Sequence, residues 1–224
     1  MSNNSSRDRV RAIVRDYYDR GDFKGWFEEV YASAGGDPAA VPWEDAAPNP
    51  NLLQWLDREK IGGHGRTALV VGCGLGDDAE ELARRGFDVT AFDISPTAIA
   101  WCAQRYPNSN VKYVAADLLA PPDAWRHAFD FVLEVHTLQT MRGQMRTEAL
   151  ARVADFVAPK GELLIICRGR DESEPTGDLP WPLLKSELNE LGSLGLREIS
   201  FENYMDEEDP PVRRFRARFK RDAR

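Results

Sequence analysis

The stretch LVVGCGLGDD, residues 69–78, sets Gly72, Gly74 and Gly76 between a run of apolar residues and an acidic segment. Glycines at this spacing let the backbone turn tightly and bring main-chain N–H groups at a helix start against a ligand. A dinucleotide site follows the pattern GxGxxG, and its third glycine would fall at Asp77. Asp77 and Asp78 suit the positive end of a helix dipole but would repel a diphosphate. The loop is therefore expected to hold a ligand without phosphates. No Gly-Lys-Ser/Thr follows, which excludes a P-loop.

Two more carboxylates stand at the ends of the next two apolar runs: Asp93 in AFDIS and Asp117 in AADLL. A carboxylate at the end of a second strand accepts from both hydroxyls of a ribose. Asp117 is placed to accept from an adenine amino group, with Leu118 packed on the ring. Glycine loop and two acids together point to S-adenosylmethionine, a sulfonium cation with an amino-acid zwitterion, over the competing NAD reading. The cofactor is expected along Val71, Gly72, Cys73, Gly74 and Gly76, then Asp93, Ile94 and Ser95. Asp117, Leu118, Glu134 and Val135 complete the strand ends, and Trp43 covers them from upstream. His64, His127 and His136 show no metal-ligand spacing, so no metal is expected.

Methyl transfer from a sulfonium is an in-line displacement that needs orientation and exclusion of water. The acceptor belongs over the strand ends, where EVHTLQ follows the fourth apolar run. Glu134 and His136 are the candidate catalytic groups, as bases for an oxygen or nitrogen acceptor. A thiol, with a pKa of ~8.5, needs no base. The structural alternative for His136 is a satisfied or merely substrate-lining ring. Tyr18, Trp26 and Trp43 are candidate substrate-side aromatics of a lid, or else core packing. Arg168 and Trp181 are their counterparts from the other side, with ion pairing as the alternative for the arginine.

The elements that must position these residues follow from periodicity. Apolar, β-branched runs at 67–71, 88–92, 111–115, 129–135 and 162–167 alternate with helical segments at 77–85, 96–106 and 142–156 and a short one at 121–125. Strand, helix, strand repeated this way implies a parallel sheet covered on both faces. A helix over 183–194 precedes strands 196–202 and 212–219, an antiparallel pair at the sheet end. The final RRFRARFKRDAR alternates Arg with Phe and Ala, as a half-buried strand with a solvated cationic face would. Upstream, Val10, Ile13, Val14 and Tyr17 keep helical spacing, Trp26 to Tyr31 form a second stripe, and a Gly/Pro-rich loop runs from 33 to 50. The expected fold is α/β, a doubly wound, mostly parallel seven-stranded sheet with a C-terminal antiparallel strand. Residues 1–60 form an N-terminal helical cap and 61–224 the cofactor-binding domain, in one compact unit.

From about Pro42 to Phe219 the chain resembles the class I S-adenosylmethionine-dependent methyltransferases, whose sheet is Rossmann-like. VPWEDAAPNPNLLQWL, GRTALVVGCGLGDD, GFDVTAFDIS and the later PWPLLKSEL are most similar in layout to the thiopurine, thiol and halide methyltransferase group. The superfamily usually carries an acid two residues before the first glycine, where this chain has Val70; the thiol and halide group tends to lack it. The resemblance implies methyl transfer to a small molecule, a thiol or similar soft nucleophile. The alternatives are O- or N-methylation with His136 or Glu134 as base, and a non-catalytic S-adenosylmethionine-binding protein.

Composition bounds the partners. The 224 residues are 42% apolar, enough for one sizeable core. A net charge of −8 disfavours a polyanion-binding face, so nucleic acid is not expected. Cys73, Cys102 and Cys167 lack paired spacing and fit reduced thiols. The polar start MSNNSSRDR has no signal-peptide core, and no run approaches a membrane span. A cytoplasmic monomer or homodimer is the expectation.

Overall fold

The computed structural model describes residues 3–223. Five strands, β1 (Thr67–Val71), β2 (Asp88–Asp93), β3 (Lys112–Ala115), β4 (Phe129–Val135) and β5 (Val157–Arg170), pair in parallel. A two-residue β6 (Leu183–Leu184) joins β5, and β7 (Leu196–Met205) and β8 (Arg213–Arg221) complete the sheet. The order is β3-β2-β1-β4-β5-β8-β7, with β8 antiparallel to both neighbours.

Buried parallel strands need apolar residues on both faces, and β1 shows why TALVV suffices. Ala68 and Val70 join a cluster with Leu52, Trp55 and Leu56 of α3 (Pro50–Arg58) and Leu82 of α4 (Asp77–Arg84). Leu69 and Val71 point the other way, to Ala149, Leu150 and Val153 of α6 (Gln144–Phe156). A third cluster is built by α1 (Asn3–Asp19) and α2 (Trp26–Ser33), where Val10, Val14, Trp26, Val30 and Tyr31 close on Leu75 and on Ala98 of α5 (Pro96–Arg105). That cluster is the N-terminal cap.

Leu52, Trp55 and Leu56 of α3, inside the range expected for the cap, pack on the sheet's own apolar face. Two expectations are corrected. The helix expected over 183–194 is a strand pair, then α7 (Lys185–Asn189), then a 3-10 turn to Gly192. Leu183 and Leu184 are held extended beside Gly169 and Arg170, and the Glu187 carboxylate accepts the Leu184 N–H at 2.7 Å where the helix begins. The arginine face of β8 is not solvated. β8 lies inside the sheet, so Arg214 and Arg216 are only 2% and 3% exposed. Arg216 grips Glu202 at 2.6 and 3.1 Å and reaches the Asn51 carbonyl and Gln54 of α3.

Candidate active site

Sheet order reverses between β1 and β4, and the crevice over the C-terminal strand ends at such a switch is where α/β folds bind ligands. Register aligns the expected residues there: Val71 stands beside both Phe92 and Glu134, and Asp93 beside Ala115. Gly72, Asp93, Asp117 and His136 consequently leave the sheet along one edge.

The loop needs its glycines twice over. Gly72, Gly74 and Gly76 have φ of +60°, +53° and +91°, where a side chain is strained. Each is also closely approached. A Cβ would lie 2.2 Å from Thr137 Oγ1 at Gly72, 2.5 Å from Glu44 Oε1 at Gly74 and 2.5 Å from the Tyr113 hydroxyl at Gly76. Three polar side chains thus rest on bare backbone. The Gly74 N–H donates to Asp93 Oδ2 at 3.0 Å and the Ser95 N–H to Oδ1 at 2.9 Å. Burial pushes the Asp93 pKa up to about 6, against those bonds. Its two oxygens keep lone pairs for further donors.

Several expected contacts have structural occupations instead. Asp77 is bound by Arg105 at 2.7 and 2.9 Å and by the Tyr106 hydroxyl. Its charge is neutralised, which removes it from the case against a phosphate ligand. Asp78 is half-buried and accepts the Asn49 N–H at 2.7 Å. Ser95 is fully buried, capping α5 through the Ala98 N–H and donating to Glu28 at 2.6 Å, so it lines no ligand surface. Val71 and Leu118 belong to the core on the α6 face, so Leu118 does not present a face for a ring. Cys73 and Val135 are half-buried against the opposite cluster, and Ile94 is half-buried at the β2 end.

The cap reaches the strand ends through residues that the sequence did not mark. Lys24 Nζ meets Asp117 Oδ2 at 2.5 Å. Glu28 accepts from Ser95 and from both the N–H and hydroxyl of Thr97. Glu44 accepts from the Tyr31 hydroxyl at 3.1 Å and the Leu75 N–H at 3.3 Å, and Trp43 Nε1 donates to that same hydroxyl at 2.9 Å. Trp43 remains 40% exposed. Trp26, at 1%, is stacked on Phe27 and belongs to the cap core, not to a substrate surface. The adjacency of Glu44 to Trp43 in a Pro-rich loop was the available signal; Lys24 offered none.

The two candidate bases are differently placed. Glu134 is fully buried beneath the edge, its Oε1 accepting from the N–H groups of Thr137 and Leu138 at 2.7 and 2.8 Å. Burial raises its pKa to about 7, and Oε2 has no hydrogen-bond partner among the described residues. His136 lies at φ +66° with Nε2 3.1 Å from Arg214 Nη1. An arginine only donates, so Nε2 accepts and the ring is neutral with its proton on Nδ1. Burial, with Arg214 and Arg168 nearby, holds the His136 pKa down at about 3. On the acceptor side, Tyr18 and Trp181 meet with ring centroids 5.8 Å apart. Arg142 lies over both rings, 5.8 Å from Tyr18 and 4.9 Å from Trp181. Arg168 anchors this side through its backbone N–H on Gln139 Oε1 at 2.7 Å.

Residues 68–161 match the family model described as a methyltransferase domain. Over 76 residues the chain is 40% identical to a ubiquinone biosynthesis O-methyltransferase of Pseudomonas fluorescens, an alignment spanning 32% of each protein. The match thus covers about a third of the length of that curated relative. A longer alignment, 182 residues at 25% identity, covers 80% of the chain and 74% of thiocyanate methyltransferase 1 of Arabidopsis thaliana. Among solved structures, the 1,6-didemethyltoxoflavin N1-methyltransferase of Burkholderia thailandensis, determined with S-adenosylhomocysteine bound, aligns with a TM-score of 0.63 and 17% identity. It covers 99% of this chain and 91% of that one. The fold is the Rossmann-like methyltransferase fold. No helix among the described residues is long and apolar enough to cross a membrane, and no group of three or more His, Cys, Asp or Glu among them could hold a metal ion.

Proposed function

We propose that the protein is an S-adenosylmethionine-dependent methyltransferase acting on a small thiol or similarly soft acceptor. The cradle fits the donor: glycines that admit no Cβ, with Asp93 in contact with the loop at the β2 end. When bound, S-adenosylmethionine supplies a methyl on a sulfonium; an acceptor lone pair forms the new bond to carbon as the C–S bond breaks and S-adenosylhomocysteine leaves. Asp93 would hold the ribose hydroxyls, and the edge of β4 would face the acceptor. Tyr18, Trp181 and Arg142 enclose an apolar, cation-bearing wall on that side.

The observation that carries the choice of acceptor is the state of the two candidate bases. His136 is neutral with its only lone pair on Arg214, and Glu134 is sealed under the 138–140 turn. A soft acceptor that ionises unaided needs neither group. The likeness to thiocyanate methyltransferase 1 supports this reading. The identity to O-methyltransferases of ubiquinone biosynthesis favours a second reading, a phenolic oxygen acceptor.

A labelled-methyl assay over thiols, thiocyanate, halides, phenols and amines tests both. The expected result is transfer to a thiol or thiocyanate, with His136→Gln retaining kcat/KM within about threefold, since no proton transfer by that ring is involved. Transfer confined to phenols and lost by about 100-fold or more in His136→Gln would establish the general-base reading instead. Failure of S-adenosylhomocysteine to raise the melting temperature at millimolar concentration would remove the cofactor itself.

A further inference from the structure

The proposed donor ends in an α-ammonium and an α-carboxylate, and a site for it must offer the ammonium an acceptor, best a charged one. The carboxylates around the glycine loop differ in what they already hold. Asp77 is committed to Arg105 and Tyr106, Glu28 to Ser95 and Thr97, and Asp117 to Lys24. Asp93 is tied to the loop and the start of α5 at the β2 end. Beneath the loop, β1 brings no acid: Val70 is 3% exposed within the apolar cluster.

Glu44, like Asp93 and Glu28 hydrogen-bonded but not ion-paired, reaches the loop from another segment. It descends from the cap loop onto the turn itself, with Oε1 2.5 Å from where a Gly74 Cβ would stand and 3.3 Å from the Leu75 N–H. Among the described residues it forms no ion pair. Its orientation is fixed by the Tyr31 hydroxyl, which in turn accepts from the Trp43 indole. A partly buried carboxylate without a paired cation carries a desolvation cost. Its pKa is accordingly raised to about 7, by burial first, with Asp77 adding to it and Tyr31, Leu75 and Arg105 opposing. An arriving ammonium would offset that cost.

We infer that Glu44 accepts the α-ammonium of the methyl donor, with Tyr31 as its positioning residue. The inference rests on the donor assignment above. It makes the cap part of the cofactor site: the acid that β1 lacks is delivered from a different segment of the chain.

The test compares three ligands by calorimetry on the full chain: S-adenosylhomocysteine, its analogue with hydrogen in place of the α-amino group, and 5′-methylthioadenosine, which lacks the amino-acid end. Wild type is expected to prefer S-adenosylhomocysteine over the deaminated analogue by roughly 10–100-fold, the range for a hydrogen bond between charged groups. Glu44→Gln should weaken S-adenosylhomocysteine by a similar factor, narrow the preference to below about threefold, and leave 5′-methylthioadenosine within about twofold, because only the ammonium contact is removed. Equal weakening of all three ligands in Glu44→Gln would overturn the inference by assigning Glu44 to loop shape alone. So would a wild type that binds the deaminated analogue as tightly as S-adenosylhomocysteine, a result that stands whether or not the variant folds. A wild type that binds none of the three fails the donor assignment itself, a different outcome from binding without regard to the amino group.

Discussion

Glu134 is the residue whose environment is most at odds with the role its position suggests. At the end of β4 it lies where a base would be useful, yet its side chain turns inward and caps the turn at Leu138. Its folded pKa of about 7 lies above the ordinary carboxylate value of 4.5. A raised acid pKa means that the native state binds the proton more tightly than the unfolded chain does. Stability from this group is therefore fully present below pH 4.5 and declines as pH rises towards 7. Glu134→Gln keeps the oxygen that accepts from Thr137 and Leu138. The variant should match wild type in urea unfolding at pH 4.5 and exceed it at pH 8 by a few kcal/mol, because each tenfold difference in proton affinity between the two states is worth about 1.4 kcal/mol. Equal stability at pH 8 would mean that Glu134 is not buried as a neutral acid. His136 titrates in the opposite sense. Its depressed pKa keeps the ring neutral, so its NMR shifts should not move between pH 5 and 8, and its contribution to stability is lost only as pH falls from 6.5 towards 3. At this scale the glycine loop and Asp93 were legible because their types and intervals are themselves the signal. Glu44, Lys24 and Thr137 were not, since their relevance comes from chain segments that meet only on folding. Asp77 was misread because Arg105, 28 residues away, cancels its charge.

The strands and helices were legible from the two periodicities, and the errors fall where tertiary placement decides the outcome. Alternation in RRFRARFKR identifies a strand, but it does not say whether that strand lies at the edge or between two others. Because β8 is inside the sheet, its arginines pack under α3 instead of facing water. Arg218 lies over the Trp55 ring at 5.6 Å and binds Glu162, while Glu202 is shared between Arg216 and Arg58. Arg216 is buried, and its loss takes the donor from the Asn51 carbonyl and Gln54 while Glu202 keeps Arg58, so Arg216→Ala should cost about 1–3 kcal/mol in chemical denaturation. Replacing Arg216 and Glu202 together by Met and Leu should cost less, because the one charge left without this partner, Arg58, is half-exposed to water. A double variant as unstable as the single one would show that the arginine acts through its contacts to Asn51 and Gln54. Glu202, held at a pKa of about 2 by its arginines, adds an acid-side signature. Its contribution is present above pH 4.5 and lost as pH falls through 2, so Glu202→Gln should flatten acid unfolding in that window.

At the scale of the whole molecule, the cap and the sheet share one edge. Lys24 on Asp117, Glu28 on the start of α5 and Glu44 on Gly74 all draw the first 49 residues down onto the strand ends. All three contacts fall on the edge that carries Asp93 and the glycine loop. The Lys24–Asp117 pair is the weakest tie, because the lysine side chain is 42% exposed and such pairs contribute about 1 kcal/mol or less. An adenine amino group at Asp117, the contact expected from the sequence, would meet the oxygen that Lys24 holds. Lys24→Ala should therefore speed hydrogen exchange across residues 22–30 and raise the association rate for S-adenosylhomocysteine by about two- to fivefold, the range that 1 kcal/mol allows. Bound S-adenosylhomocysteine should slow exchange around Trp43 and Glu44, because the amino-acid end joins the cap to the loop. Salt should reproduce part of the lysine effect in wild type and none of it in the variant, as screening of one exposed pair requires. Exchange in the cap that is indifferent to both ligand and Lys24 would mean that the first 49 residues are a fixed wall, and that the donor enters from the β4 side.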